Sequence, residues 1–188
     1  MPADVHILGF AGSLRKQSYN RAALRVAQEI MPEGAALEII TLDDIPLFNQ
    51  DFEGDNAPEA VQVFKEKIRQ ADGLLIVTPE YNYSISGVLK NAIDWASWPP
   101  GQSVLAGKPT AIMGVGGRFG TARAQLHLRQ IFVFTDTPTL VKPEVYVINA
   151  WEQFDAEGNL KNEVTREQIR TLLEALVKWT RRVEYLRG

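Results

Sequence analysis

The sequence predicts an α/β protein, a three-layer α/β/α sandwich built on a five-stranded parallel sheet. Short apolar runs bounded by turn residues alternate with longer stretches that repeat at helical spacing, the pattern of a parallel sheet wrapped by crossover helices. The run Gly73 to Thr78, GLLIVT, is apolar on both faces and so belongs at the centre of a sheet covered on both sides. Five such strands alternate with five helices, and with right-handed crossovers the flavodoxin-like order 2-1-3-4-5 is a common solution.

The elements follow in order. Val5 to Gly12 is the first strand, and a helix after it places Ala23, Ala27, Ile30 and Met31 on one face before Pro32 and Gly34 stop it. Ala36 to Leu42 reads as the second strand, and Asp43 to Ala57 as a long connection rich in Asp, Pro, Asn and Gly. Pro58 suits a first helical turn, and Val61, Phe64, Ile68 and Ala71 form the buried stripe of the helix it opens. After the third strand, a helix over Ser86 to Ser97 ends before the corner Pro99-Pro100-Gly101, and Pro109 to Val115 is the fourth strand. Gly116, Gly117 and Gly120 interrupt it; a helix over Thr121 to Phe132 and a fifth strand over Glu144 to Asn149 come next. Thr165 and Gln168 have capping-box spacing and are expected to start a final helix with the stripe Ile169, Leu172, Leu173, Leu176 and Val183. With no repeat, linker or low-complexity tract, residues 1–188 are expected to form one domain.

Composition narrows the function. Apolar residues make up 45% and charged residues 23%, and 20 basic against 23 acidic side chains leave a net charge of -3, so disorder and a basic field for nucleic acid are both excluded. Zero cysteines remove disulfides, thiolate metal sites and cysteine nucleophiles, and two histidines, His6 and His127, are too few for most histidine-built metal centres. No apolar run reaches the roughly 18 residues a bilayer span needs, and no basic segment precedes a leader-like stretch, so a cytoplasmic protein without membrane insertion is expected.

In sheets of this order ligands bind beyond the carboxyl ends of the strands, which singles out three loops. The first, Gly12-Ser13-Leu14-Arg15-Lys16-Gln17-Ser18-Tyr19-Asn20, places hydroxyls and a guanidinium ahead of a helix N-terminus, which suits an anion such as a phosphate. Ser18 or Asn20 could instead simply cap that helix. The loop lacks both the Walker Gly-Lys-Ser/Thr and the G-x-G-x-x-G fingerprint, so a nucleoside triphosphatase is not expected. The third-strand loop, Thr78-Pro79-Glu80-Tyr81-Asn82-Tyr83-Ser84, offers a stiff exit at Pro79 and aromatic faces with polar edges, a wall suited to a flat heterocycle or, alternatively, to packing. The glycines Gly114, Gly116 and Gly117, with Arg118, permit close backbone approach to a flat ligand or to a neighbouring loop. Lys90 and Asp94 read as a surface pair, and His127 as a packed or interface histidine. No G-x-S-x-G elbow supports a hydrolase, and the missing thiolate excludes a cysteine-dependent phosphatase.

GSLRKQSYNRA at Gly12 to Ala22, TPEYNYSISGVLKNAIDW at Thr78 to Trp95 and GVGGRFGTARAQ at Gly114 to Gln125 together resemble the NAD(P)H-dependent FMN reductases, particularly their quinone and chromate reductase branch. The likeness extends over nearly the whole chain, including LFNQDFE after the second strand. It implies an oxidoreductase with FMN as cofactor, NADPH or NADH as donor, and a quinone, chromate or similar small oxidant as acceptor, exchanged ping-pong at one open flavin face. By that resemblance Ser13, Arg15, Ser18 and Asn20, with Tyr19 beside them, would hold the FMN phosphate. Pro79, Glu80, Tyr81, Asn82 and Tyr83 would line the isoalloxazine, and Gly114 to Arg118 would approach its pyrimidine side. No side chain is expected to act as a catalytic acid or base, because the cofactor carries the chemistry. Ser86 departs from the family's usual proline, leaving either a looser loop or a helix cap. The resemblance also implies a homodimer or homotetramer, for which Trp95, Trp98, Phe132 and Phe134 are candidate contact residues. A flavodoxin-like electron carrier and a non-catalytic flavin-binding sensor are the alternatives, and a net charge of -3 gives little of the acidic surface a carrier needs for steering.

Overall fold

The computed structural model describes residues 4–52 and 56–187. Its elements are β1 (Val5–Ala11), α1 (Tyr19–Glu29), β2 (Ala35–Ile40), α2 (Glu59–Gln70), β3 (Gly73–Val77), α3 (Gly87–Ser97), β4 (Thr110–Val115), α4 (Ala122–Phe134), β5 (Val145–Val147), α5 (Ala150–Gln153) and α6 (Glu163–Arg187). The strands form one parallel sheet in the order β2-β1-β3-β4-β5. Glu53 of the LFNQDFE stretch and part of the long connection lie outside the described residues.

Alternating side chains of the central strands feed two cores. Ile7 and Ala11 of β1, Leu75 and Val77 of β3 and Met113 of β4 face α1 and α6. Leu8, Phe10, Leu74, Ile76 and Ile112 face α2, α3 and α4. Every residue of β3 is buried, as a strand covered on both faces must be. The helical stripes fall where the spacing predicts, with Val61, Phe64 and Ile68 buried on α2 and Ile169, Leu172, Leu173, Leu176 and Val183 buried on α6.

Several boundaries differ from the sequence reading, three of them with consequences for the supporting structure. β5 stops at Val147 because Asn149 takes a left-handed conformation (φ 48), and the short α5 follows where extended chain was expected. α6 begins two residues before Thr165, whose amide bonds to Asn162 Oδ1 at 3.1 Å; Asn162 is therefore the cap. The Thr165 hydroxyl donates to Gln153 Oε1 at 3.0 Å instead, so the expected capping box is not formed. α4 continues to Phe134, leaving Phe132 in the core at 2% exposure and Phe134 outside it at 90%. Trp95 is also buried, so of the expected contact aromatics Trp95 and Phe132 belong to the core. Among the described residues no helix is long and apolar enough to cross a membrane.

Candidate active site

β2 and β3 leave β1 on opposite sides, so the chain diverges at the β1 exit and opens a crevice there. The loops after β1, β3 and β4 meet at this edge. The Gly12 amide donates to the Val77 carbonyl at 2.9 Å, which joins the first two.

Between Gly12 and Asn20 the chain carries no carboxylate. Ser13 is buried, with its hydroxyl 3.5 Å from the Tyr81 hydroxyl, while the side chains of residues 14–17 are exposed. Arg21 holds the loop from below: its Nε donates to the Ser13 carbonyl at 2.9 Å and its guanidinium pairs with Asp43. Ser18 does cap α1, accepting from the Arg21 amide at 3.4 Å, and its hydroxyl proton remains available for a ligand. The buried Asn20 is engaged with β4. Its amide nitrogen donates to the Val115 carbonyl and its oxygen accepts from the Val115 amide, both at 2.9 Å, so it ties α1 to β4. The Arg15 guanidinium lies 5.8 Å over the Tyr19 ring, and that ring packs 5.4 Å from Phe154.

After β3, Tyr81 and Ser84 exchange both backbone hydrogen bonds at 3.0 Å around Asn82 (φ 51) and Tyr83 (φ 65). Two consecutive positive φ values define a type I′ turn, which normally takes Asn-Gly; a tyrosine there is held against its preference. The restraint is visible. Glu80 is nearly buried and its carboxylate accepts from Arg123 Nε at 2.7 Å, the Arg123 amide at 3.0 Å and the Ala124 amide at 3.2 Å. It thereby closes the N-terminus of α4, and these bonds engage both carboxylate oxygens. The Arg123 guanidinium in turn lies 3.8 Å from the Tyr83 ring centre and 4.8 Å from that of Phe119. Sequence reasoning did not find this clamp, because Glu80 and Arg123 are 43 residues apart and only the fold brings them together.

Ser86 is buried, accepts from the Leu89 amide at 3.1 Å as the cap of α3, and donates to the Gly12 carbonyl at 2.6 Å. It fastens the α3 end of the loop to both α3 and Gly12, which favours the helix-cap alternative over the looser loop. A Cβ on Gly12 would come within 3.1 Å of Ser86 Oγ and of Pro79 Cδ, so glycine lets these two loops close on each other.

The glycines after β4 divide by role. A Cβ on Gly114 would overlap the Thr121 hydroxyl and the Thr78 carbonyl, and one on Gly116 would overlap the Gly120 backbone. These two therefore serve contact between loops. Gly117 has only the Trp151 ring edge at 3.9 Å, and it and Arg118 are exposed at the open edge. Beneath this turn Tyr146 donates to Glu144 Oε1 at 2.8 Å; burial and that carboxylate push its phenol up to about 12. Glu144 is held below the usual carboxylate range by its bonds from Lys142 and Tyr146.

His127 is exposed rather than packed, and its Nδ1 lies 3.0 Å from the Ser84 hydroxyl. Among the described residues no carboxylate bonds to this histidine, so the pair lacks the third member of a hydrolytic triad. His6 lies at the opposite edge of the sheet, 3.3 Å from Glu38, and Lys90 and Asp94 pair at 2.6 Å as their spacing predicts. No metal-binding group of acids and histidines exists among the described residues.

The donor set fits a flat group with an anionic tail. Hydroxyls, helix amides and Arg15 stand at one end, and aromatic side chains flank an open backbone edge at the other, with Tyr81 51% and Tyr83 66% exposed. The sequence profile of the NADPH-dependent FMN reductases matches residues 5–152, which include all five strands and all three loops. The chain belongs to the NADPH-dependent FMN reductase family. An NAD(P)H-dependent FMN reductase of Pseudomonas aeruginosa is 53% identical over 184 residues, covering 97% of this chain and 99% of that protein. An NADPH:quinone oxidoreductase of Arabidopsis thaliana is 44% identical over 187 residues, covering 96% and 94%. Among solved structures, the flavoenzyme FerB of Paracoccus denitrificans, an NAD(P)H:(acceptor) oxidoreductase, superposes with a TM-score of 0.83 at 34% identity, covering 95% and 98%. This FMN reductase is accordingly a flavin oxidoreductase that uses FMN and a reduced nicotinamide.

Proposed function

We propose that this FMN reductase passes two electrons from NADPH or NADH to a quinone, giving the hydroquinone with uptake of one proton from solvent. The observation that carries the proposal is an open, aromatic-rimmed edge next to a loop of hydroxyls, helix amides and a guanidinium. FMN, when bound, supplies the hydride acceptor and two-electron donor that the side chains lack. Ser13, Arg15, Ser18 and the first amides of α1 hold its phosphate, with Tyr19 alongside. Asn20 acts one step removed, fixing that loop to β4.

Pro79 and the backbone of Glu80 to Tyr83 line the ring, while the Glu80 carboxylate and Arg123 keep the strained turn in place. Backbone amides there offset negative charge at the ring's polar edge, an electrostatic rather than acid–base role. Gly117 and Arg118 approach the pyrimidine side, with Gly114 and Gly116 allowing the loop to sit that close. The site's openness lets donor and acceptor use one face in turn. Quinones are named as substrates of relatives, among them a 2-hydroxy-1,4-benzoquinone reductase of a Burkholderia species at 43% identity over 171 residues. Chromate and other small oxidants would take electrons at the same face. The proposal places this chemistry on one flavodoxin-like domain, in a cytoplasmic homo-oligomer.

Initial rates with FMN-loaded protein, varied NADPH and varied benzoquinone test the reading. Parallel double-reciprocal lines at turnover of about 1 s⁻¹ or faster, the range ordinary enzymes occupy, are expected. Converging lines would reject a shared face, and turnover far slower than that would favour an electron carrier or sensor.

A further inference from the structure

Two short turns at the open edge carry an aromatic residue to the same cation. One is Tyr81 to Ser84 after β3, with Tyr83 third of its four residues; the other is Gly117 to Gly120 after β4, with Phe119 in the third place. Both are closed by backbone hydrogen bonds of 3.0 Å, exchanged between Tyr81 and Ser84 in the first and running from the Gly120 amide to the Gly117 carbonyl in the second. Gly120 takes φ +57, and a Cβ there would lie 3.1 Å from Tyr146 Cβ, so conformation and packing both hold this corner to glycine. The Arg123 guanidinium lies over both rings, 3.8 Å from the centre of Tyr83 and 4.8 Å from that of Phe119. Arg123 is itself fixed, because the Glu80 carboxylate holds its Nε at 2.7 Å and its backbone amide at 3.0 Å.

A planar cation held in place orients the rings that pack on it. Yet Tyr83 remains 66% and Phe119 60% exposed, so both rings keep most of their surface in water. The Arg123 charge is offset by Glu80 at 2.7 Å, so these rings offer apolar contact rather than a field for anions. We propose that Phe119 is a specificity-determining residue for the acceptor: its ring, aligned with Tyr83 by Arg123, takes up the apolar face of a neutral aromatic quinone. A small, strongly hydrated anionic oxidant gains nothing from that ring. The inference rests on the reading of this edge as the flavin site, and it names the class of acceptor that the edge selects.

The test is steady-state kinetics of the FMN-loaded protein with saturating NADPH and either 1,4-naphthoquinone or ferricyanide, in the wild type, Phe119→Ala and Phe119→Leu. The side chain is exposed, so neither change opens the core. Phe119→Ala is expected to raise KM for naphthoquinone about fivefold or more at unchanged kcat, the mark of lost uniform binding. KM for ferricyanide should stay within about twofold of the wild type, and FMN affinity, read by fluorescence titration, should not move. Phe119→Leu keeps much of the apolar area and should restore most of the naphthoquinone KM. Equal changes for both acceptors, or none for naphthoquinone, would overturn the assignment. So would weakened FMN binding, which would make the ring part of the flavin's own support, or a smaller mass by light scattering in Phe119→Ala, which would give the ring to a subunit contact. Wild-type protein that retains no FMN, seen in its spectrum before any substrate is added, would overturn the reading of the edge and the inference together. Wild-type protein that retains FMN and is reduced by NADPH keeps that reading intact whichever way Phe119 falls.

Discussion

At the residue scale, the site depends on a few side chains whose partners decide what each can do. Arg15 has no carboxylate partner among the described residues and stands in the loop before α1, so Arg15→Ala should weaken FMN binding by roughly 1.5–3 kcal/mol, about 10- to 100-fold, measured by fluorescence quenching on titration with FMN. Unchanged affinity would remove it from the phosphate site. Glu80 is different, because its carboxylate belongs to α4. Glu80→Ala strands a guanidinium and two helix amides, and should cost about 1–3 kcal/mol. Each kcal/mol corresponds to roughly 2–4 °C of Tm in a chain of this size, readable by calorimetry. No change in Tm would show that the clamp carries no load. The candidate loop could be picked out of the sequence because its chemistry is local: hydroxyls and a guanidinium ahead of a helix. The Asn20 tie to Val115 and the Glu80–Arg123 clamp could not, since each joins residues that only the assembled sheet brings together.

At the element scale, two contacts set how α3 and β5 support the edge. Ser86→Ala removes the α3 cap and leaves the buried Gly12 carbonyl without its hydroxyl partner, so a loss of about 1–2 kcal/mol is expected in urea unfolding at unchanged m-value. Equal midpoints for wild type and variant would show the serine to be dispensable. On β5 the sign of the pH dependence follows from Tyr146. Its folded pKa of about 12 stands above the ordinary 10.0, so its contribution to stability is complete below about pH 10 and is lost as pH rises through about 12. An absorbance titration of tyrosinate should show a last step near 12 that Tyr146→Phe abolishes. A last step unchanged in that variant would assign the shift elsewhere. The strands and amphipathic helices were readable from periodicity, and the observed strand order is the common solution expected for five alternating strands with right-handed crossovers. The failures occur where a single backbone conformation decides: Asn149 in the left-handed region ends β5 and starts α5, and Asn162 rather than Thr165 opens α6.

At the scale of the whole molecule, the sheet brings three sequence-distant loops to one edge and leaves that edge open. Leu126, Val133 and Phe134 are exposed on α4, the last two at the end opposite the one that Glu80 closes, and they are the apolar material a subunit contact would cover. Light scattering over a dilution series should therefore report a mass above that of the 21.0 kDa chain. A 21.0 kDa species at every concentration would rule out the homo-oligomer. Whether the edge holds FMN and exposes it to both donor and acceptor is decided by one absorbance experiment, in which protein mixed with FMN and desalted is treated with NADPH and then with benzoquinone in the same cuvette. Retained flavin absorbance that bleaches with NADPH and returns with quinone is the predicted result; flavin that is not retained, or is retained but not bleached, would contradict it.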